Sequence, residues 1–151
     1  MNADHTLVIT RVFDAPRPLV FNAWIDPAQA AQWWGPKGLT TVSNAMDVRV
    51  GGEWRRAMRS PDGTEHWSRG IYREITPPER LVFTFRWERG GAAGHGPETI
   101  VTIILTELGD GRTELMLRQE GFATVEGRDD HRSGWSSALD GLADYLATHV
   151  N

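Results

Sequence analysis

The chain has 151 residues, a net charge of −4, seven tryptophans and no cysteine. Its length suits one domain with a real hydrophobic core, and a mildly acidic surface without a basic run excludes nucleic acid or an anionic membrane as the main partner. Without cysteine there is no disulfide framework, no thiolate metal site and no cysteine nucleophile.

The opening residues, MNADHTLVITR, carry neither the basic start nor the apolar run of a secretory signal. No apolar stretch approaches the roughly eighteen residues of a membrane span, so the expected location is the cytoplasm. Leu7 to Phe13 is β-branched and reads as a strand. Asp14-Ala-Pro16 reads as a helix start, with Asp14 or Ala15 at the cap and Pro16 in the first turn, where a missing N–H does no harm. Leu19, Val20, Ala23 and Trp24 recur at helical spacing, and Asp26-Pro27 ends that helix and begins a second, Ala28 to Trp34, which stops at Gly35-Pro36. From Leu39 onward the pattern changes to six strands, Thr40–Met46, Gly52–Arg59, Glu65–Ile75, Leu81–Trp87, Glu98–Leu108 and Thr113–Gly121. Turn chemistry separates them at Ser60-Pro61-Asp62-Gly63, Thr76-Pro77-Pro78-Glu79 and Gly109-Asp110-Gly111. Gly51-Gly52 reads as a turn or bulge that Asp47 holds through its side chain. Arg89 to Pro97, glycine-rich, reads as a mobile hairpin loop.

The last element spans Asp130 to Val150. At about 100° per residue, Trp135, Leu139, Leu142 and Leu146 fall in one stripe, widened by Ala138, Ala143 and Val150. Burying the four large residues contributes on the order of 2 kcal/mol each, which requires a broad apolar surface beneath the helix. Gly134, Ala138 and Gly141 line one flank, either for close approach to the sheet or to leave room for a ligand. The order β–α–α–β6–α predicts an α+β fold: a curled antiparallel sheet of about seven strands, two short helices, and one long C-terminal helix lying on the sheet.

Five motifs carry a family resemblance: Phe13-Asp-Ala-Pro16 with Val20-Phe21-Asn-Ala-Trp24; Trp33-Trp-Gly-Pro; Asp47-Val-Arg-Val-Gly-Gly-Glu-Trp-Arg; Gly70-Ile-Tyr-Arg-Glu-Ile-Thr-Pro-Pro-Glu-Arg-Leu-Val-Phe-Thr-Phe; and His131-Arg-Ser-Gly-Trp135 with Leu139-Asp-Gly-Leu142-Ala-Asp-Tyr-Leu146. In this order they span essentially the whole chain, which resembles the family related to the activator of the heat-shock-protein-90 ATPase. The resemblance implies the helix-grip fold of the START and birch-pollen-allergen (SRPBCC) superfamily over residues 1–151, with a cavity between sheet and helix. That superfamily contains carriers of lipids and other hydrophobic ligands, polyketide cyclases, hormone receptors and co-chaperones, so fold alone supplies only analogy for function. The co-chaperone resembles a two-domain protein, and only one of those domains has a counterpart here, which counts against chaperone stimulation.

The tryptophans are the strongest compositional signal. Trp54, Trp67, Phe83, Phe85 and Trp87 lie on strands that would line a groove, with Met58 among them, and Trp135, Leu139 and Leu142 lie on the helix that would cover it. Such walls suit a flat or greasy molecule; they equally suit a large aromatic core. Trp24, Trp33 and Trp34 are assigned to packing of the short helices. Polar candidates are His66, Arg69, Tyr72 and Glu74, able to bind a carboxylate or do acid–base work if they point inward, and ordinary solvated groups if they do not. Alternation separates His66, Ser68, Tyr72 and Glu74 from Trp67, Arg69, Ile71 and Ile75 without saying which set faces inward.

There is no Gly-x-Ser-x-Gly elbow and no dinucleotide or phosphate loop, so no catalytic residue and no cofactor is assigned. His5, His95, His131 and His149 show no metal-ligand spacing. Three readings follow: a non-catalytic binder of a small hydrophobic molecule; a cyclase or dehydratase using His66, Tyr72 or Glu74; and an interaction module, with a chaperone as partner, that would need a large exposed apolar patch. An exposed edge strand would also permit a homodimer.

Overall fold

A computed structural model describes residues 5–35, 38–88 and 98–149. The elements run β1 (Thr6–Phe13), α1 (Arg17–Ile25), α2 (Pro27–Trp33), β2 (Thr40–Met46), β3 (Glu53–Arg59), β4 (Glu65–Thr76), β5 (Arg80–Trp87), β6 (Thr99–Glu107), β7 (Thr113–Glu120) and α3 (Val125–His149). All seven strands form one antiparallel sheet in the order β1-β7-β6-β5-β4-β3-β2. This is the helix-grip arrangement, with α1 and α2 inserted between β1 and β2 and α3 laid over the inner face.

The strand limits agree with the sequence reading to about one residue. Two helix starts differ. Pro16 itself occupies the cap of α1 and makes no side-chain cap bond, its carbonyl accepting from Leu19 and Val20 instead. The last helix begins at Val125, five residues before Asp130, with the Thr124 hydroxyl accepting from the Gly127 N–H at 3.0 Å. The first turns, Val-Glu-Gly-Arg-Asp, lack an apolar stripe and contain a glycine, so periodicity does not reveal them. Asp26 does cap α2, accepting from Ala28 N at 3.0 Å. The Asp47–Gly52 turn is held by backbone: the Asp47 carbonyl accepts from Arg49 N, while the Asp47 carboxylate pairs with the Arg49 side chain at 2.9 Å. A Cβ on Gly52 would lie 2.0 Å from that carbonyl. The Arg89–Pro97 loop, His95 and Val150 lie outside the described residues.

Strand alternation builds the core. Leu7 and Phe13, Leu81 and Phe83, Val101, Ile103 and Leu105, and Leu115 and Leu117 are buried on the inner face, beneath Trp135, Leu139, Leu142 and Leu146 of α3. Gly141 allows α3 to approach α2: a Cβ there would lie 3.2 Å from the Trp33 carbonyl. At Gly70, Trp54 on β3 lies across β4 and donates to the Thr84 carbonyl of β5 at 3.2 Å. A Cβ at Gly70 would sit 1.8 Å from that carbonyl and 2.5 Å from the indole nitrogen, so only glycine fits.

Candidate functional site

β4 decides which polar groups can reach the interior. Ser68, Gly70 and Tyr72 are buried, and His66 on the same face is half-buried, whereas Arg69, Ile71 and Arg73 are exposed. A register shift between Tyr72 and Glu74 then reverses the alternation. Ile75 turns to the core, and Glu74 turns outward to Arg80 at 3.1 Å. Of the four polar candidates, His66 and Tyr72 therefore face inward, while Arg69 pairs outside with Glu53 at 3.3 Å. Trp67 is also outside, its ring covered by the Arg55 guanidinium at 4.1 Å. Alternation places it there, because Trp67 is one residue out of phase with Ser68.

Between the β3–β5 side of the sheet and the first half of α3 lies a cavity of about 280 Å³. Met58, His66, Phe85 and Trp87 form its sheet wall, and His131, Gly134, Trp135 and Ala138 its helix wall. Trp34, Gly35 and Leu39 close a third side. Trp34, assigned from sequence to helix packing, is thus a cavity wall; it stands at the extended residue that ends α2, with Gly35 following at φ 122°. Trp54 and Phe83 sit deeper, against Trp34 at 5.9 and 5.7 Å between ring centroids. Leu139 and Leu142 are fully buried core residues. Of the small residues on α3, Gly134 and Ala138 border the cavity, while Gly141 abuts α2 rather than the sheet.

A hydrogen-bond chain backs the helix wall. The Trp87 indole N–H donates to Nε2 of His131 at 2.9 Å, and an indole can only donate, so Nε2 carries the lone pair and the proton is on Nδ1. Nδ1–H donates to Gln119 Oε1 at 3.2 Å, which also accepts from Trp135 Nε1 at 2.8 Å. The Gln119 amide donates to Thr99 Oγ1 at 2.8 Å, and Thr99 in turn to the Phe85 carbonyl at 2.9 Å. Burial pushes the His131 imidazole down to about 4, against the pull of the Asp130 carboxylate, which fits a neutral ring between one donor and one acceptor. Gln119, fully buried, was not singled out from sequence. The signal existed: it continues the inward row Thr113, Leu115, Leu117 as a polar residue with a long amide side chain.

Deeper still, Arg56 of β3 is 1% exposed. One guanidinium nitrogen donates to Asn44 Oδ1 at 2.8 Å, and the plane lies 3.8 Å from the Trp34 ring centroid. Burial pushes Arg56 down to about 9, still a cation at neutral pH, and raises the Tyr72 phenol to about 12, so that it stays protonated. The acid–base candidates do not converge: His66 is on the cavity wall, Tyr72 lies behind Trp34, and Glu74 is outside. Among the described residues no group of three or more His, Asp or Glu side chains could hold a metal ion. No helix of the described residues is long and apolar enough to cross a membrane.

Residues 14–147 match the family described as Activator of Hsp90 ATPase homolog 1-like protein. The chain belongs to this family. Solved structures similar to this chain carry the same fold. Protein CV1439 from Chromobacterium violaceum is 31% identical, with 93% of this chain and 95% of that one covered and a TM-score of 0.83. An AHSA1 protein from Silicibacter pomeroyi is 29% identical over 95% and 99% of the two chains, with a TM-score of 0.82. CalU16 from Micromonospora echinospora is 26% identical over 93% of this chain and 75% of that one, with a TM-score of 0.70. No curated protein matches the chain.

Proposed function

We propose that this protein binds a small apolar or aromatic molecule in the cavity between β3–β5 and α3, and does not transform it. The observation that carries the reading is an aromatic-walled space of about 280 Å³ whose backing polar groups are already paired with one another. Its volume is just below the roughly 300–1,000 Å³ typical of ligand pockets, which suits a one- or two-ring molecule or a short chain. The His131 lone pair, the obvious base, is occupied by Trp87, and the remaining acid–base candidates are dispersed, which disfavours the cyclase-type reading. For an interaction module the outer face is poorly suited: Val8 and Val12 on β1 stand opposite Arg118 and Glu114, and Ile71 opposite Glu53.

Ala138→Leu tests the reading, because its added atoms enter the cavity from a helix position that accepts leucine well. In a thermal-shift and tryptophan-fluorescence screen of naphthalene derivatives, short fatty acids and sterols, the unmodified protein is expected to give a saturable, stabilising response that Ala138→Leu abolishes while remaining folded. An unchanged response in Ala138→Leu would place binding elsewhere.

A further inference from the structure

Cavity and Arg56 are neighbours on the same strands. On β3 Met58 lines the cavity and Arg56, two residues inward on the same face, does not; on β5 the corresponding pair is Phe85 and Phe83. The cleft around Arg56, enclosed by Tyr72, Phe83, Trp24 and Trp54, is too narrow for a water molecule. Trp34 borders both spaces and is the partition between them. Behind it, Nε and one terminal nitrogen of Arg56 are buried without any hydrogen-bond partner. Two unmet donors on a buried cation are costly, and among the described residues no carboxylate pairs with it to repay that cost. The sheet row bearing Arg56 offers only neutral neighbours, Asn44 on β2 and Ser68 on β4.

We infer that the cavity and Arg56 are two halves of one site for a small amphipathic anion, its apolar body in the cavity and its carboxylate on the two unpartnered Arg56 donors, with Trp34 turned aside. A carboxylate supplies both the acceptor oxygens and the negative charge that this guanidinium lacks. The backbone at Trp34 suits such a movement, since helix α2 has ended there and Gly35 follows in a conformation that only glycine adopts freely. This inference rests on the proposed ligand role of the cavity and specifies the ligand's polar end.

Isothermal titration at pH 7 with naphthylacetate, naphthylethanol and naphthylethylamine separates the two ideas, because the three share an apolar body and differ in head charge. The acid is expected to bind at least about tenfold more tightly than the alcohol, as one charge-assisted hydrogen bond supplies, and the amine most weakly. In Arg56→Met, similar in length and apolar, the acid should lose its advantage while the affinity for the alcohol changes less than about threefold. Equal affinity of acid and alcohol for the unmodified protein overturns the anionic-head inference and leaves the cavity reading standing. Binding of none of the three overturns both. An acid preference that survives in Arg56→Met overturns the assignment to Arg56, and should that variant fail to fold, the ordering in the unmodified protein decides alone.

Discussion

Protonating His131 should loosen the wall of the cavity, and the size of the effect follows from its surroundings. In the folded protein Nε2 accepts from Trp87 and Nδ1 donates to Gln119, so an added proton would set two N–H groups against each other at 2.9 Å. The folded pKa is pushed down to about 4, whereas an imidazole in the unfolded chain titrates near about 6.5. The sign follows directly. Above the unfolded value neither state takes the proton, and stability is at its full value. As pH falls below about 6.5 the unfolded chain binds the proton and the folded one does not, so stability is lost down to about pH 4 and levels off below. At about pH 5 the unfolded imidazole is almost fully charged and the buried one about a tenth charged, which corresponds to a loss of about 2 kcal/mol relative to pH 7.5. Urea denaturation of the unmodified protein and of His131→Gln at both pH values isolates this contribution, because the carboxylates titrate in both and cancel in the difference. The unmodified protein should lose about 2 kcal/mol more than the variant. Parallel losses, or an imidazole NMR titration centred near 6.5, would refute the reasoning.

Other expectations are equally direct. Gly70→Ala should destabilise by about 2–4 kcal/mol in urea denaturation, because its Cβ meets a strand carbonyl and the Trp54 indole rather than a flexible side chain. Gln119→Leu leaves the buried Trp135 N–H and the His131 N–H without an acceptor and should cost about 2–4 kcal/mol, with a larger change in tryptophan fluorescence than Leu142→Ala produces at similar cost. Arg56→Met is expected to be neutral or to raise stability by about 1–3 kcal/mol, read as a higher denaturation midpoint, because it removes a buried cation with two unmet donors. A loss of more than about 2 kcal/mol would show that stacking on Trp34 outweighs that burden.

The fold was largely legible because each strand announces itself twice, by alternation and by the turn that ends it. Leu81, Phe83 and Phe85 and the row Leu115, Leu117 needed no tertiary information. The site was less legible for three physical reasons. Alternation on β4 is broken by the shift after Tyr72, so no single phase could assign Glu74 correctly. Trp34 belongs to a helix end in sequence and to a cavity wall in space. The chain of bonds from Trp87 to Thr99 joins residues on three strands and a helix, and nothing local marks His131 and Gln119 as partners.

The pairing of β1 with β7 also has a bearing on how the protein is made. Phe13 pairs with Thr113 and Thr6 with Glu120, so the first strand leaves the ribosome roughly a hundred residues ahead of the strand it pairs with. At a synthesis rate of about 5–20 residues per second, that strand waits about 5–20 s with both edges unpaired. Its sequence alternates Leu7, Ile9 and Phe13 with residues that stay outside, a pattern that another β-strand can recognise. The interval before β7 emerges is therefore when nascent chains of this protein are most prone to pair with one another, and slowing synthesis between β6 and β7 should lower the soluble yield before it affects any property of the finished fold.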